Sequence, residues 1–278
     1  MAEFAVHRPT HSTRESALPS GSSSPRQSLL NTRVDDLSMD QLLERIGAGT
    51  AGIVFTVNPD HLCHLQANAA FHAAYQQADV VTCDSHYVKL AMRLIGRPVQ
   101  HRLPGSDIVP TMCRRFRDDP SVKVFLLGAK PGVAQRAADR LNAAAGRALV
   151  VGALGPSMRF VDDPAEVDDA VARIQASGAT VLLVGLGAPK QEILIAQLRR
   201  RLPGVGTLIG VGATIDYEAG EVVRAPVWMR RIGLEWFHRV ATEPRRYLMR
   251  YVRSARFMWW MALDRLGRYR DPFAHPGT

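Results

Sequence analysis

The chain has 278 residues, 46% hydrophobic and 22% charged, a composition that supports a sizeable buried core and excludes wholesale disorder. Its three cysteines, Cys63, Cys83 and Cys113, form no Cys-x-x-Cys pair or His/Cys cluster, which excludes a disulfide framework and a structural zinc site, and no run of about 18 uncharged apolar residues marks a membrane span. The net charge of +9 is uneven: from Glu221 onward 12 arginines and no lysine stand against 5 acidic residues, and all four tryptophans lie in that same segment.

Residues 1–33 begin with a Ser-, Pro-, Arg- and His-rich stretch that has no periodicity, and they are expected to be a disordered tail. That stretch lacks the apolar core of a secretory signal, so a cytoplasmic location is expected. Residues 34–220 then alternate. Buried β-rich runs at 53–58, 79–84, 122–128, 148–152, 180–187 and 207–215 are separated by helical stretches at 60–77, 131–145, 165–177 and 189–202. This pattern predicts an α/β fold, a Rossmann-like parallel sheet with helices on both faces, whose ligands sit at the carboxyl ends of the strands.

Polar residues at those ends are the candidates. Thr56 and Asn58 close the first run; Asn58 reads equally as a turn former. Asp84 closes the second and reads either as a helix cap or as a general base on a shared rim. Arg102 precedes the Pro104-Gly105 turn and the cap candidates Ser106 and Asp107, which suits either an anion site at a helix start or a loop salt bridge. The turn Gly185-Leu186-Gly187-Ala188-Pro189 leads into Lys190, Gln191 and Glu192. A lysine in a first helical turn opposes the helix dipole unless an anion is near. No GxxxxGK[ST] loop, complete GxGxxG, HExxH, GxSxG or metal-holding Asp-x-Asp pair is present, so no metal site is expected.

From Glu221 the strand pattern stops, and residues 221–278 read as a basic, aromatic helical appendage. A helix starting at Pro244 gathers Tyr247, Leu248, Tyr251, Val252, Ala255, Met258, Trp259, Ala262 and Leu266 on one side, and Arg245, Arg246, Arg250, Arg253 and Arg256 opposite. Phe257 and Trp260 spill onto the basic side. An interfacial helix on anionic lipid explains all three features; a helix packed on the domain, or on a second subunit of a homo-oligomer, explains the apolar stripe alone. A nucleic-acid-binding protein is the rival class, although no recognised nucleic-acid motif is present and the arginines share a helix with an apolar stripe.

In this order the pieces resemble the WecG/TagA/CpsF group of bacterial glycosyltransferases. The matching residues are Thr56-Val57-Asn58, Asp84, Arg102-Leu103-Pro104-Gly105-Ser106-Asp107, Gly187-Ala188-Pro189-Lys190-Gln191-Glu192, Asp216, Arg224-Ala225-Pro226, Gly233-Leu234-Glu235-Trp236, Arg239 and Glu243-Pro244-Arg245-Arg246. The resemblance implies inverting, metal-independent transfer from a UDP-sugar to an undecaprenyl-diphosphate-linked saccharide, without a cofactor, at the inner face of the plasma membrane and with no nucleic-acid partner. The sugar would be N-acetylmannosamine, its uronic acid or another hexose. Asp84 would be the base, with Thr56 and Asn58 orienting hydroxyl groups. Gly187, Lys190, Gln191 and Glu192 would line the donor pocket. Arg102, Gly105, Asp107, Asp216 and Arg224 would complete the substrate site. Arg246, Arg253 and Arg256, within about 80° on one helix face, would close over the diphosphate. The group's usual Asp-Gly reads Asp84-Ser85 here, which points to an exopolysaccharide-type member.

Overall fold

The computed structural model describes residues 25–274. It opens on an antiparallel hairpin, β1 (Arg26–Leu29) and β2 (Thr32–Asp35), so the expected tail meets ordered strands from Arg26 onward; residues 1–24 of that tail lie outside the described residues. The hairpin forms because Leu29 and Val34 turn inward and are buried, and because Asp35 Oδ2 accepts from Val81 N at 2.8 Å, tying it to the adjoining sheet. Helix α1 (Met39–Gly47) follows, begun by a reciprocal cap between Ser38 and Gln41.

The expected strands are all present, with ends shifted by a few residues: β3 (Gly52–Val57), β4 (Val80–Cys83), β5 (Val124–Gly128), β6 (Val150–Leu154), β7 (Val181–Gly185) and β8 (Thr207–Gly210). They form one parallel sheet in the order β4-β3-β8-β7-β5-β6. The linking helices are α2 (Pro59–Ala67), α3 (Ala69–Gln76), α4 (His86–Leu94), α5 (Gly105–Arg115), α6 (Val133–Ala145), α7 (Pro164–Ser177), α8 (Lys190–Leu198) and α9 (Thr214–Glu218). The single helix expected over 60–77 divides at Asn68, which ends α2 and caps α3 by accepting from Phe71 N at 3.0 Å. Strand side chains alternate between two cores. Phe55, Val57, Leu127 and Val184 pack with α2, α3, α4, α7 and α8; Val54, Leu126, Leu183 and Ile209 pack with α1, α5, α6 and α9.

This winding places the site. The chain leaves β3 into α2 on the first face and leaves its neighbour β8 into α9 on the second. A crevice therefore opens between their carboxyl ends, where open α/β sheets bind ligands.

The C-terminal segment is four helices: α10 (Val227–Arg231), α11 (Glu235–Thr242), α12 (Pro244–Ser254) and α13 (Phe257–Arg265). The continuous helix expected beyond Pro244 is broken at residues 255–256, and the break corrects the reading of Phe257. The turn swings Phe257 and Met261 into the first core, with Trp260 packed against it, so burial in the domain and not contact with lipid explains Phe257. The segment is also pinned by charge. Asp60 Oδ2 accepts from Arg250 Nε at 2.9 Å and lies 2.8 Å from Arg250 Nη2.

Candidate active site

Asp84 follows β4 directly. Its backbone N–H donates to Val57 O at 2.9 Å, which extends the β3–β4 pairing by one residue and holds the side chain at the rim. Asn58 Nδ2 donates to Asp84 Oδ2 at 3.3 Å, while Asn58 Oδ1 caps α2 by accepting from Asp60 N and His61 N, both at 3.1 Å. Asn58 therefore caps α2 and contacts Asp84 at once. Thr56, 7% exposed, lies two register positions below and faces Thr82 across the strands. Burial raises the Asp84 carboxyl above an ordinary aspartate; Arg102, Arg239 and the Asn58 hydrogen bond oppose that rise.

Two guanidinium groups, Arg102 and Arg239, act electrostatically on this carboxylate, and both belong to a wider network of charged pairs. Arg102 Nη1 donates to Asp84 O at 2.9 Å, and its Nη2 lies 3.3 Å from Asp107 Oδ2. Asp107 Oδ1 also takes Arg224 Nη1 at 2.8 Å and Arg230 Nη1 at 3.8 Å. Glu235 pairs with its i+4 neighbour Arg239 at 2.9 Å and with Arg224 at 3.7 Å. Burial alone would raise the Glu235 carboxyl, but Arg239, Arg224 and Arg102 together hold it below its ordinary value. The Arg239 guanidinium stands 5.7 Å from the Tyr217 ring centroid. Arg224 Nη2, Arg230 Nε and Arg239 Nε are buried and lack a hydrogen-bond partner among the described residues. Buried donors without acceptors are costly, and an anion arriving among them would relieve that cost. Next to them a cavity of about 310 Å³ is lined by His86, Arg102, Asp107, Val227, Arg230 and Arg231. His86 Nε2 donates to Arg230 O at 2.9 Å, fastening α4 to α10.

The remaining candidates are spread more widely. Gly105 is buried against the β8 end, where an added Cβ would lie 3.1 Å from Val211 Cα, so its bareness lets α5 approach β8. Asp216 is half-buried on α9. Gly187 adopts φ +76° in the turn before α8, and Lys190 is exposed at the start of that helix. Gln191 and Glu192 are 3% and 1% exposed, so their side chains point under the rim instead of lining an open pocket. Arg253 and Arg256 are exposed beside Cys63 of α2, and Arg256 stacks over Trp260 at 5.6 Å. Among the described contacts neither joins Asp84, Asp107 or Glu235. The Arg246 side chain lies outside the described residues.

The arginines of this network are thus Arg102, Arg224, Arg230 and Arg239: Arg102 and Arg239 act on Asp84, and Arg224 and Arg230 join through Asp107 and Glu235. Arg102 and Arg224 were expected as site residues. Arg230, Arg239 and Glu235 were not, although the i,i+4 spacing of Glu235 and Arg239 is a readable sign of a fixed pair. Helical periodicity points instead to Arg246, Arg253 and Arg256, because a wheel shows which residues share a side, not which side meets the domain.

A profile of the Glycosyl transferase WecG/TagA/CpsF family matches residues 27–271. The N-acetylglucosaminyldiphosphoundecaprenol N-acetyl-beta-D-mannosaminyltransferase of Bacillus spizizenii is 30% identical over 194 residues, covering 70% of this chain and 72% of the relative.

Proposed function

Because the chain belongs to the WecG/TagA/CpsF family and is a glycosyltransferase, we propose that it transfers a sugar from a UDP-sugar to an undecaprenyl-diphosphate-linked saccharide with inversion at the anomeric carbon. The observation that carries this reading is the opposition of one rim carboxylate, Asp84, to a group of arginines with unpartnered buried N–H donors. The name of the Bacillus relative supplies the substrate class: an N-acetylmannosamine unit as the transferred group and N-acetylglucosaminyl-diphosphoundecaprenol as the acceptor. Its uronic acid or another hexose are the other donors proposed, with Asp84-Ser85 marking an exopolysaccharide-type member.

The chemistry assigns each group a task. The acceptor hydroxyl oxygen attacks the anomeric carbon on the side opposite the diphosphate. As that C–O bond forms, the bond from the anomeric carbon to the UDP oxygen breaks, and the hydroxyl proton passes to the Asp84 carboxylate. Asn58, fixed by its own cap, holds the carboxylate in orientation, and Thr56 sits beneath to position sugar hydroxyls. Negative charge develops on the departing diphosphate, where Arg102, Arg224, Arg230 and Arg239 provide preorganised donors. Lys190, exposed at the start of α8, is placed to meet the donor from the β7 side.

Attachment to an anionic membrane surface is part of the same proposal. No helix among the described residues is long and apolar enough to cross a membrane. Leu248, Met249 and Val252 of α12, Met258 and Trp259 of α13, and Leu266 beyond it are each half or more exposed, next to exposed Arg253 and Arg256. Apolar side chains beside guanidinium groups favour lipid over nucleic acid. A panel of UDP-sugars offered with short-chain lipid-diphosphate acceptors, with UDP release and the product linkage read by NMR, tests the reading. The expected result is one accepted donor and an inverted anomeric centre; a retained centre, or no release from any donor, overturns it.

A further inference from the structure

Beneath the rim, polar side chains on α8, α2 and α3 are closed off from water: Gln191, Glu192, His61 and Tyr75 are all under 5% exposed. Gln191 Oε1 accepts two backbone hydrogen bonds, from Gly187 N at 3.2 Å and Gly212 N at 3.1 Å. These amides belong to different turns, one after β7 and one after β8, and both glycines hold positive φ, +76° and +55°. A single side-chain carbonyl therefore joins two turns that border the crevice.

That junction requires the oxygen end of the amide to face the glycines. The two ends of a glutamine amide are nearly equal in size, and the reversed amide would set its NH₂ against two N–H donors. The neighbouring side chain decides between them. Glu192 Oε1 accepts from Gln191 Nε2 at 2.7 Å, and a reversed amide would turn its carbonyl onto that oxygen. The other Glu192 oxygen, Oε2, is buried and has no partner among the described residues. The nearest cationic candidate, His61 Nε2, lies 3.7 Å from Oε1, and its Nδ1 is taken up with the Tyr75 hydroxyl at 2.7 Å. A carboxyl in such surroundings is an expensive way to fill space, and an apolar side chain would do that better.

We propose that Glu192 is a positioning residue whose carboxyl oxygen sets the Gln191 amide, so that one side-chain carbonyl ties the β7 turn to the β8 turn at the edge of the crevice. Its effect on transfer rests on the functional reading above; its effect on the two turns does not.

Hydrogen–deuterium exchange over residues 184–191 and 210–215, together with steady-state transfer, tests this on E192Q, E192M, Q191M and the E192M/Q191M double variant. E192M and Q191M are expected to speed exchange in both turns together and to lower donor kcat/KM by about tenfold, with acceptor KM unchanged. E192Q, whose carbonyl can replace Oε1, is expected within about twofold of the starting protein, and the double variant should be no worse than Q191M, because both act through one amide. Exchange in E192M at the original rate, E192Q as damaged as E192M, or losses that multiply in the double variant would each overturn the proposal. Should E192M lose its cooperative melting transition, Q191M and E192Q carry the test. Q191M removes Oε1 and is expected to loosen both turns while E192Q leaves them closed, and unchanged exchange in Q191M, or loosening in E192Q equal to that in Q191M, refutes the proposal. Coupled loosening in a protein that accepts no UDP-sugar would remove the functional reading and leave the clamp standing.

Discussion

Two regions meet over Asp84 and hold their charged groups by different means. At the strand ends, the main chain does the placing. Asp84 N is bonded to Val57 O, and Asn58 is locked by the first turn of α2. In the C-terminal segment, Arg224 and Arg239 reach the same rim through ion pairs with Asp107 and Glu235; Arg224 lies in the loop before α10 and Arg239 on the short helix α11, which offer little backbone constraint. The sheet thus fixes the proposed base, whereas the proposed counter-charge is held by pairs that an incoming diphosphate could exchange or join. A base must be aimed to within a fraction of an ångström, while charge stabilisation tolerates rearrangement.

Removing the proposed base breaks this comparison most severely. Asp84→Asn keeps the side chain's shape and an oxygen to accept from Asn58, but it has no carboxylate to take a proton. Turnover, read as UDP release, is expected to fall by about 10²–10⁴-fold. Stability should hold, since burial already disfavours the charged form. The pH dependence follows from the same burial. The carboxyl pKa lies above that of an ordinary aspartate and the base must be ionised, so kcat/KM should decline with acidification through that raised value. Stability runs the other way. The folded state holds this proton more tightly than the unfolded state, so the Asp84 contribution favours folding at the acidic end and weakens as pH rises past the raised value. A fully active Asp84→Asn, or a rate that does not fall on acidification, would assign the base elsewhere.

The arginines sharpen the comparison. Arg239→Ala removes one guanidinium from the rim and leaves Glu235 with Arg224 alone, at 3.7 Å. Loss of about 10²-fold in kcat/KM is expected, in the range for one donor at a developing anion. Arg253→Ala and Arg256→Ala, measured with a short-chain acceptor in solution, should stay close to the starting protein because both side chains are exposed. Equal losses at Arg253 and Arg239 would return the leaving-group role to α12.

How far the sequence could be read follows the same division. The strands are legible because a parallel sheet buried on both faces needs unbroken apolar runs, as in GIVFTV and VLLVG, and their ends point to Thr56, Asn58 and Asp84 without further information. Arg102 and Asp107 were within reach because a Pro-Gly turn opens a helix beside them. The inward turn of Gln191 and Glu192 was not, since a helical start reveals which residues lie in its first turn but not which of them the neighbouring strand buries. The break at residues 255–256 was also hidden: no proline or glycine marks it, and tertiary packing of Phe257 and Met261 outweighs the local preference for one helix. Near the amino end, a Ser-rich beginning masked the alternation that makes β1 and β2.

A milder change separates membrane attachment from chemistry. Replacing Met258 and Trp259 by serine removes two side chains that are 64% and 66% exposed and adds no buried defect. Co-sedimentation with anionic vesicles should weaken by about tenfold, since burying each large apolar side chain in an interface contributes roughly 1–3 kcal/mol and these two contribute only in part. Transfer to a short-chain acceptor in solution should be unaffected. Vesicle binding that survives the double serine variant would place the contact elsewhere.

The smallest effect is expected where the two regions are fastened together. Asp60 lies in the first turn of α2, directly after the Asn58 cap, and receives both Arg250 Nε and Arg250 Nη2 from α12. Its side chain is 19% exposed and that of Arg250 36%, so solvent screens the pair in part and its contribution is about 1 kcal/mol. Asp60→Asn retains an oxygen for hydrogen bonding and leaves the Asn58 cap intact, so the rim geometry at Asp84 should persist and transfer in solution should change by less than about twofold. The weakened fastening should appear instead as a melting point lower by about 2–4 °C and as faster proteolysis between α11 and α12. Neither a change in the Asp84 pH profile nor a large loss of turnover is expected. If Asp60→Asn costs activity as heavily as Arg239→Ala, then docking of α12 and placement of the rim arginines are one event, and the separation between a backbone-fixed base and an exchangeable counter-charge does not hold.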